Sequence, residues 1–278
     1  FSSQKWTNKQ NLTDGKIRDL IEHLSTRKLG NKDYPADLMG DAYEILLKKF
    51  ADDSKAQAAE FYTPRSVVQL LIRILDPKPG ESVYDPACGS GGMLIEAVHH
   101  MNHSNLCCGK IFGQEKNVTN AAIAKMNLFL HGAADFNIMQ GDTLREPKIL
   151  AGGELAKFDC VIANPPFSLE KWGSVEWSSD KFGRNIWGTP SDSCGDYAWI
   201  QHMIKSMGPG NSRMAVVMPQ GILFRGNEEG NIRKKLVESD KVEAVVTLGD
   251  KLFYGTGLSP CFLIIRNLKP AEHSARIL

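Results

Sequence analysis

No run of apolar residues approaches the roughly 18 that a membrane-spanning helix needs, so a transmembrane protein is not expected. The start of the chain lacks the charged, apolar and small-residue succession of a secretory signal. Cysteine is sparse: six residues, at 88, 107, 108, 160, 194 and 261, form no Cys-x-x-Cys pair. That argues against a disulfide framework and points to reduced thiols in the cytoplasm. His99, His100 and His103 are the one histidine cluster, without a third ligand near them, so they read as a solvated helix end and no metal is expected. Charge of one sign is also missing. Lys and Arg total 33 against 32 Asp and Glu, leaving a net charge of +1. A protein that grips DNA unaided shows a basic footprint, and this chain does not. There is no internal repeat and no low-complexity tract. The first residue is Phe rather than Met, which suggests a trimmed piece of something longer.

What is present is ordinary for a soluble globular protein. The 278 residues, 42% hydrophobic and 23% charged, suit one large domain with a small extension. Residues 1–55 form the extension, a helical N-terminal segment that ends a larger helical region. Ile17, Leu20, Ile21 and Leu24, then Leu38, Ala42, Tyr43, Ile45, Leu46 and Phe50, recur at helical spacing. Residues 56–278 form the main domain. After Pro79-Gly80 the rhythm is strand, loop, helix. Strands are expected at 82–85, 110–115, 137–140, 158–163, 213–218, 242–248 and 261–266, and helices at 93–101, 119–130, 197–207 and 231–237. Such alternation specifies an α/β fold, a doubly wound Rossmann-like sheet with helices on both faces. The last two strands leave no room for a crossover helix, so one is antiparallel. Residues 167–197 lack clean periodicity, and long excursions of this kind tend to be functional or disordered.

Asn164-Pro165-Pro166-Phe167 closes the apolar strand that begins at Phe158. A planar exocyclic amine, such as adenine N6, is a poor nucleophile because its lone pair is delocalised into the ring. The Asn164 side-chain oxygen and the Pro165 carbonyl offer two acceptors for its N–H groups. Pro165 and Pro166 fix φ and carry no N–H, and Phe167 offers a ring face for stacking. Asp85-Pro86-Ala87-Cys88-Gly89-Ser90-Gly91-Gly92 follows the first strand and precedes a helix. Glycines there admit a ligand close to the backbone, and the helix start adds N–H donors. The spacing fits neither G-x-G-x-x-G nor a P-loop, so the ligand is nucleoside-like without phosphates. Asp85 suits a ligand bearing a sulfonium and an ammonium. Glu115, after the second strand, can accept from ribose hydroxyls, and Asp142, after the third, from an adenine amine. S-adenosyl-L-methionine (AdoMet) matches these preferences, with Asp85, Ala87, Gly89, Ser90, Gly91, Gly92, Glu115 and Asp142 as its side of the site. Trp172, Trp177, Phe182 and Trp187, interleaved with Lys171, Lys181 and Arg184, form either a DNA-facing lid or an excursion that buries its own tryptophans. Arg225, Lys234 and Lys235 read as solvated charges.

These motifs, in this order, resemble the amino-group DNA methyltransferases, and most closely the modification subunit of Type I restriction–modification systems. The matching residues are Glu60-Phe61-Tyr62-Thr63-Pro64-Arg65, Asp85 to Leu94, Gly113-Gln114-Glu115, Gly141-Asp142-Thr143-Leu144 and Asn164 to Phe167. The resemblance implies that Glu60, Phe61, Tyr62, Thr63, Pro64 and Arg65 fold over the methionine end of AdoMet. It implies transfer of a methyl group to adenine N6 in double-stranded DNA, with catalysis by Asn164, Pro165, Pro166 and Phe167. It also implies a specificity subunit that reads the DNA, a restriction subunit that cleaves it, and two modification subunits per complex. The balanced charge, and the lack of room after Tyr197 for a recognition domain, agree with reading delegated elsewhere. A stand-alone Type II enzyme acting on adenine N6 or cytosine N4, a protein-glutamine methyltransferase and a non-catalytic AdoMet-binding scaffold are the alternatives.

Overall fold

The computed structural model describes residues 13–26, 63–102, 109–249, 252–253 and 259–278. Helix α1 (Asp14–Ser25) lies in the N-terminal segment; the rest of the helical pattern expected before residue 55 falls outside the described residues. Helix α2 (Arg65–Leu75) was not among the expected elements. Its buried positions Val67, Val68, Leu71, Ile72 and Leu75 follow helical spacing, so it docks by one apolar stripe. Arg213 caps the far end of α2, donating to the carbonyls of Leu75 and Asp76 while forking onto Glu81 at 2.8 and 3.1 Å.

Then come β1 (Val83–Asp85), α3 (Gly92–Asn102), β2 (Ile111–Glu115), α4 (Val118–Leu130) and β3 (Phe136–Gln140). A small hairpin of β4 (Leu150–Ala151) and β5 (Glu154–Leu155) turns on Gly152-Gly153, both at positive φ. The sheet resumes with β6 (Cys160–Ala163), followed by α5 (Ser174–Trp177), α6 (Asp196–Ser206), β7 (Arg213–Pro219), α7 (Asn227–Glu238), β8 (Val242–Thr247) and β9 (Pro260–Arg266).

Seven strands lie in the order β3-β2-β1-β6-β7-β9-β8. The five from β3 to β7 run parallel, and β9 is antiparallel to both its neighbours. All seven expected strands are therefore present, and β9 supplies the antiparallel member. Alternation along the central strands builds two cores. Cys160, Ile162, Ala215 and Val217 face α2, α3 and α4. Val161, Ala163, Met214, Val216 and Met218 face α6 and α7. Continuous apolar strands result because both faces are covered.

Beyond Phe167, the 167–197 excursion joins the second core through Trp172, Trp177 and Tyr197. Trp172, Trp177 and Phe182 are buried, with the two indoles edge to face at 5.3 Å. Arg184 is buried as well. It bonds Asp180, donates to the carbonyls of Thr143 and Leu144 at 2.9 Å, and lies over the Trp177 ring. Of the two readings left open, the excursion that buries its own tryptophans is the one these four residues follow. The three aromatic rings stabilise more when removed from water than when left facing it.

Candidate functional site

The sheet reverses its winding between β1 and β6, which are hydrogen-bonded neighbours with parallel register Val83↔Cys160 and Tyr84↔Val161. The loops after their carboxyl ends therefore open side by side, and ligands of doubly wound sheets bind in such a crevice. One loop carries the glycines and the other carries Asn164-Pro165-Pro166-Phe167.

The glycine loop is shaped by left-handed Gly89 and Gly91, at φ 53° and 88°, which residues with a Cβ adopt only at a cost. Its backbone is tied from several sides. Cys88 N–H donates to the Gln114 carbonyl at 3.1 Å, and Asn127 Nδ2 donates to the Ser90 carbonyl at 2.9 Å. Thr143 Oγ1 donates to the Pro86 carbonyl at 2.6 Å, joining the loop after β3 to the loop after β1. Gly113 has a packing reason: a Cβ there would lie 2.7 Å from Ile138 Cδ1 and 3.0 Å from Cys88 Sγ. Ala87, Ser90 and Gly92 line this same loop, Gly92 as the exposed first residue of α3.

The acids differ in their environment. Asp85 is 2% exposed and accepts from Ala87 N–H at 2.9 Å. Burial pushes its carboxyl up to about 8, the nearby Glu115 charge adds to this, and the Ala87 N–H works against it. Glu115 is buried; Oε2 accepts from Gly89 N–H at 3.0 Å and Oε1 from Asn117 N–H at 2.7 Å. Each oxygen retains a second lone pair for a ligand hydroxyl. Asp142 follows β3 as expected, but its carboxylate pairs with Lys116 Nζ at 2.9 Å and accepts from Arg145 N–H at 3.3 Å.

At the facing loop, Asn164 Nδ2 donates to Thr63 Oγ1 at 2.9 Å. Asn164 Oδ1 is buried and has no hydrogen-bond partner among the described residues. A buried amide oxygen left so costs the desolvation of an acceptor, roughly 1–3 kcal/mol, which a ligand N–H would recover. Pro165 is buried, Pro166 exposed, and Phe167 half-buried against the core that includes α2. Thr63 and Pro64 lead into α2, with Arg65 its exposed first residue, and Thr63 touches the Asn164 turn directly. Glu60, Phe61 and Tyr62 lie outside the described residues.

Arg225, read from sequence as a solvated charge, is instead bound to Asp196 and to Glu229. Only folding brings Asp196 to Arg225 and to the exit of the Asn164 turn, whereas Arg225 and Glu229 are a local pair four residues apart. Cys194 Sγ and the Asp196 and Glu229 carboxylates lie within 4.8 Å of one another, a spacing a metal could use. The Arg225 guanidinium already supplies the positive charge there. His100 Nε2 pairs with Asp76 at 2.9 Å.

A doubly wound sheet with a glycine loop after its first strand, and an Asn-Pro-Pro-Phe turn at the switch point, defines a Rossmann-like methyltransferase fold. The chain belongs to the N-6 DNA methylase family, whose profile matches residues 34–278. It is 35% identical over 270 residues to the Type I restriction enzyme MjaVII methylase subunit of Methanocaldococcus jannaschii, covering 94% of this chain and 45% of that protein. Against the Type I restriction enzyme EcoKI methylase subunit of Escherichia coli it is 32% identical over 239 residues, 80% of this chain and 43% of that one. The structure superposes on the methyltransferase subunit of a type I restriction–modification system from Streptococcus thermophilus with a TM-score of 0.81 at 30% identity. That match covers 96% of this chain and 58% of the other. The chain spans about half the length of the curated relatives it matches.

Proposed function

We propose that this chain carries the methyl-transfer centre of a Type I modification subunit, acting on N6 of an adenine flipped out of double-stranded DNA. The observation that carries the reading is the buried Asn164 Oδ1 at the sheet's switch point, which has no hydrogen-bond partner among the described residues. Few ligands answer an orphan acceptor beside an aromatic ring as well as an exocyclic amine does. AdoMet bound on the Gly89–Gly92 side would supply the methyl group as a sulfonium electrophile. Asp85 suits its cationic end and Glu115 its ribose hydroxyls, with Ala87, Ser90 and Asp142 around the nucleoside, and Thr63, Pro64 and Arg65 closing over it.

The protein's share of the chemistry is positioning and electrostatics. Asn164 Oδ1 and the Pro165 carbonyl accept from the two N6–H groups, drawing the amine toward a localised lone pair. They also stabilise the positive charge that develops on nitrogen before its surplus proton passes to water. Phe167 stacks on the extruded base, offsetting part of the few kcal/mol that extrusion costs. Pro165 and Pro166 hold both acceptors in place without reorganisation. Reading of the DNA sequence falls to a specificity subunit and cleavage to a restriction subunit, with two modification subunits per complex in the cytoplasm. The net charge of +1 and the Type I relatives support this division.

The test is tritiated-methyl transfer by the full-length polypeptide assembled with its specificity subunit. Asn164→Ala should bind AdoMet normally and lose about 10²–10³-fold in transfer rate. Near-normal incorporation would sink the assignment, and label found on cytosine N4 would move the substrate.

A further inference from the structure

Beyond Phe167 the backbone adopts a conformation that the two prolines do not explain. Ser168 lies in the left-handed region at φ 51°, which is disfavoured for any residue with a Cβ. Asp196, the first residue of α6 and fully buried, accepts from the Ser168 N–H through Oδ1 at 2.7 Å. Its other oxygen, Oδ2, takes a hydrogen bond from Arg225 Nη2 and one from the Cys194 thiol at 3.4 Å. Arg225 reaches in from the turn after β7, and its Nη1 lies 3.5 Å from Ser168 Oγ. Behind it, Arg225 Nε forms a 2.6 Å ion pair with buried Glu229, a close contact without hydrogen-bond alignment. One residue further on, the Leu169 carbonyl accepts from Gly195 N–H at 3.0 Å.

We infer that Asp196, held in place by Arg225, is a positioning residue for methyl transfer. This rests on the function proposed above. The prolines fix φ at 165 and 166, so Phe167 and Ser168 are the joints through which the turn could swing. A charge-assisted hydrogen bond is shorter and stiffer than a neutral one, and here it holds Ser168 in a conformation the residue would otherwise leave. That restraint bears directly on the adjoining Phe167 and so on the direction of its ring. Asp196 itself touches neither the acceptor pair nor the glycine loop. The competing reading is a buried ion pair that stabilises the fold without aiming the turn.

The two readings separate in the assembled complex with Asp196→Asn, which keeps the shape and an acceptor but loses the charge that holds Arg225. Three quantities decide: the single-turnover transfer rate, AdoMet affinity by calorimetry, and KM for DNA. Misplacement of reacting groups by about 1 Å costs on the order of 100-fold, so the rate should fall about 10- to 100-fold. AdoMet affinity and the DNA KM should stay within about threefold, the signature of a lost transition-state contribution. Adding Ser168→Gly should recover part of the rate, because glycine takes positive φ without penalty. A lowered melting temperature with an unchanged rate overturns the inference, as does a rate that falls only in step with AdoMet affinity. If circular dichroism shows Asp196→Asn unfolded, Arg225→Lys carries the same test, with the same split expected and the same results overturning it. A wild-type complex that binds AdoMet yet methylates no DNA overturns the proposed function and this inference together. A wild type that transfers, beside a variant that transfers equally well, overturns only the inference.

Discussion

On the proposed reading Asp85 sets the charge of the AdoMet half of the site, and its protonation should make AdoMet binding depend on pH. Its carboxyl is 2% exposed, and burial raises its pKa from the ordinary 3.8 to about 8. At pH 6 the free protein therefore holds a proton there. A sulfonium or ammonium brought into the crevice favours the carboxylate, and ionising Asp85 two pH units below its pKa costs about 2.7 kcal/mol. At pH 8 that cost nearly vanishes. AdoMet affinity should then rise about 50-fold between pH 6 and pH 8, since half the molecules are already ionised at pH 8, with close to one proton released per AdoMet bound at the lower pH. Calorimetry in two buffers of different ionisation enthalpy measures both quantities. Asp85→Asn should abolish the slope attributable to this group and its released proton. A wild-type affinity that stays flat across this range, or a slope that survives Asp85→Asn, would refute the reasoning. The same group acts on stability with a definite sign. Its folded pKa lies above its unfolded one, so its stabilising effect is complete below about pH 4 and is lost as pH rises toward 8. Relative to Asp85→Asn, the ligand-free protein should lose melting temperature from pH 5 to pH 8.

Two further outcomes follow from neighbouring residues. Glu115→Ala removes the acceptor for the Gly89 and Asn117 N–H groups as well as the expected ribose contact, and should weaken AdoMet by about 10- to 100-fold, as loss of one charged hydrogen bond does; unchanged calorimetric affinity contradicts the ribose assignment. Arg184→Ala leaves Asp180 buried without its partner and frees the Thr143 and Leu144 carbonyls. It should cost about 3–5 kcal/mol, seen as a lower melting temperature and faster proteolysis within 168–196. Arg184→Lys should not restore it, since an ammonium cannot reproduce the planar fork.

The central strands of the main sheet were legible because burial on both faces demands apolar runs such as Cys160–Ala163 and 214–219. Helix α2 carries an equally periodic stripe, yet it sits beside motif residues that draw the eye to chemistry rather than to periodicity. The β4–β5 hairpin is too short for period-two alternation to show. The aromatic excursion could not be decided from composition, because a tryptophan beside a lysine fits a DNA-facing surface and a buried cluster equally well. Geometry decided it: Trp172, Trp177 and Arg184 close on one another and on the loop after β3.

The site divides along the same line. Linear order alone determined which loops carry the chemistry, since in a doubly wound sheet the residues following each strand must gather at the carboxyl edge. Glycines after β1, an acid at the end of β2, an acid after β3, and Asn164-Pro165-Pro166-Phe167 after β6 are consequences of that rule. The tertiary structure decided what each group is bonded to. It left Asn164 Oδ1 buried without a partner among the described residues, paired Asp142 with Lys116, and raised the Asp85 carboxyl by burial. It also brought Asp196 and Arg225, residues 28 and 57 positions beyond Ser168, against the exit of the Asn164-Pro165-Pro166-Phe167 turn. Burial, desolvation and contacts across such separations depend on how helices pack on the sheet, and no local pattern in the chain encodes them.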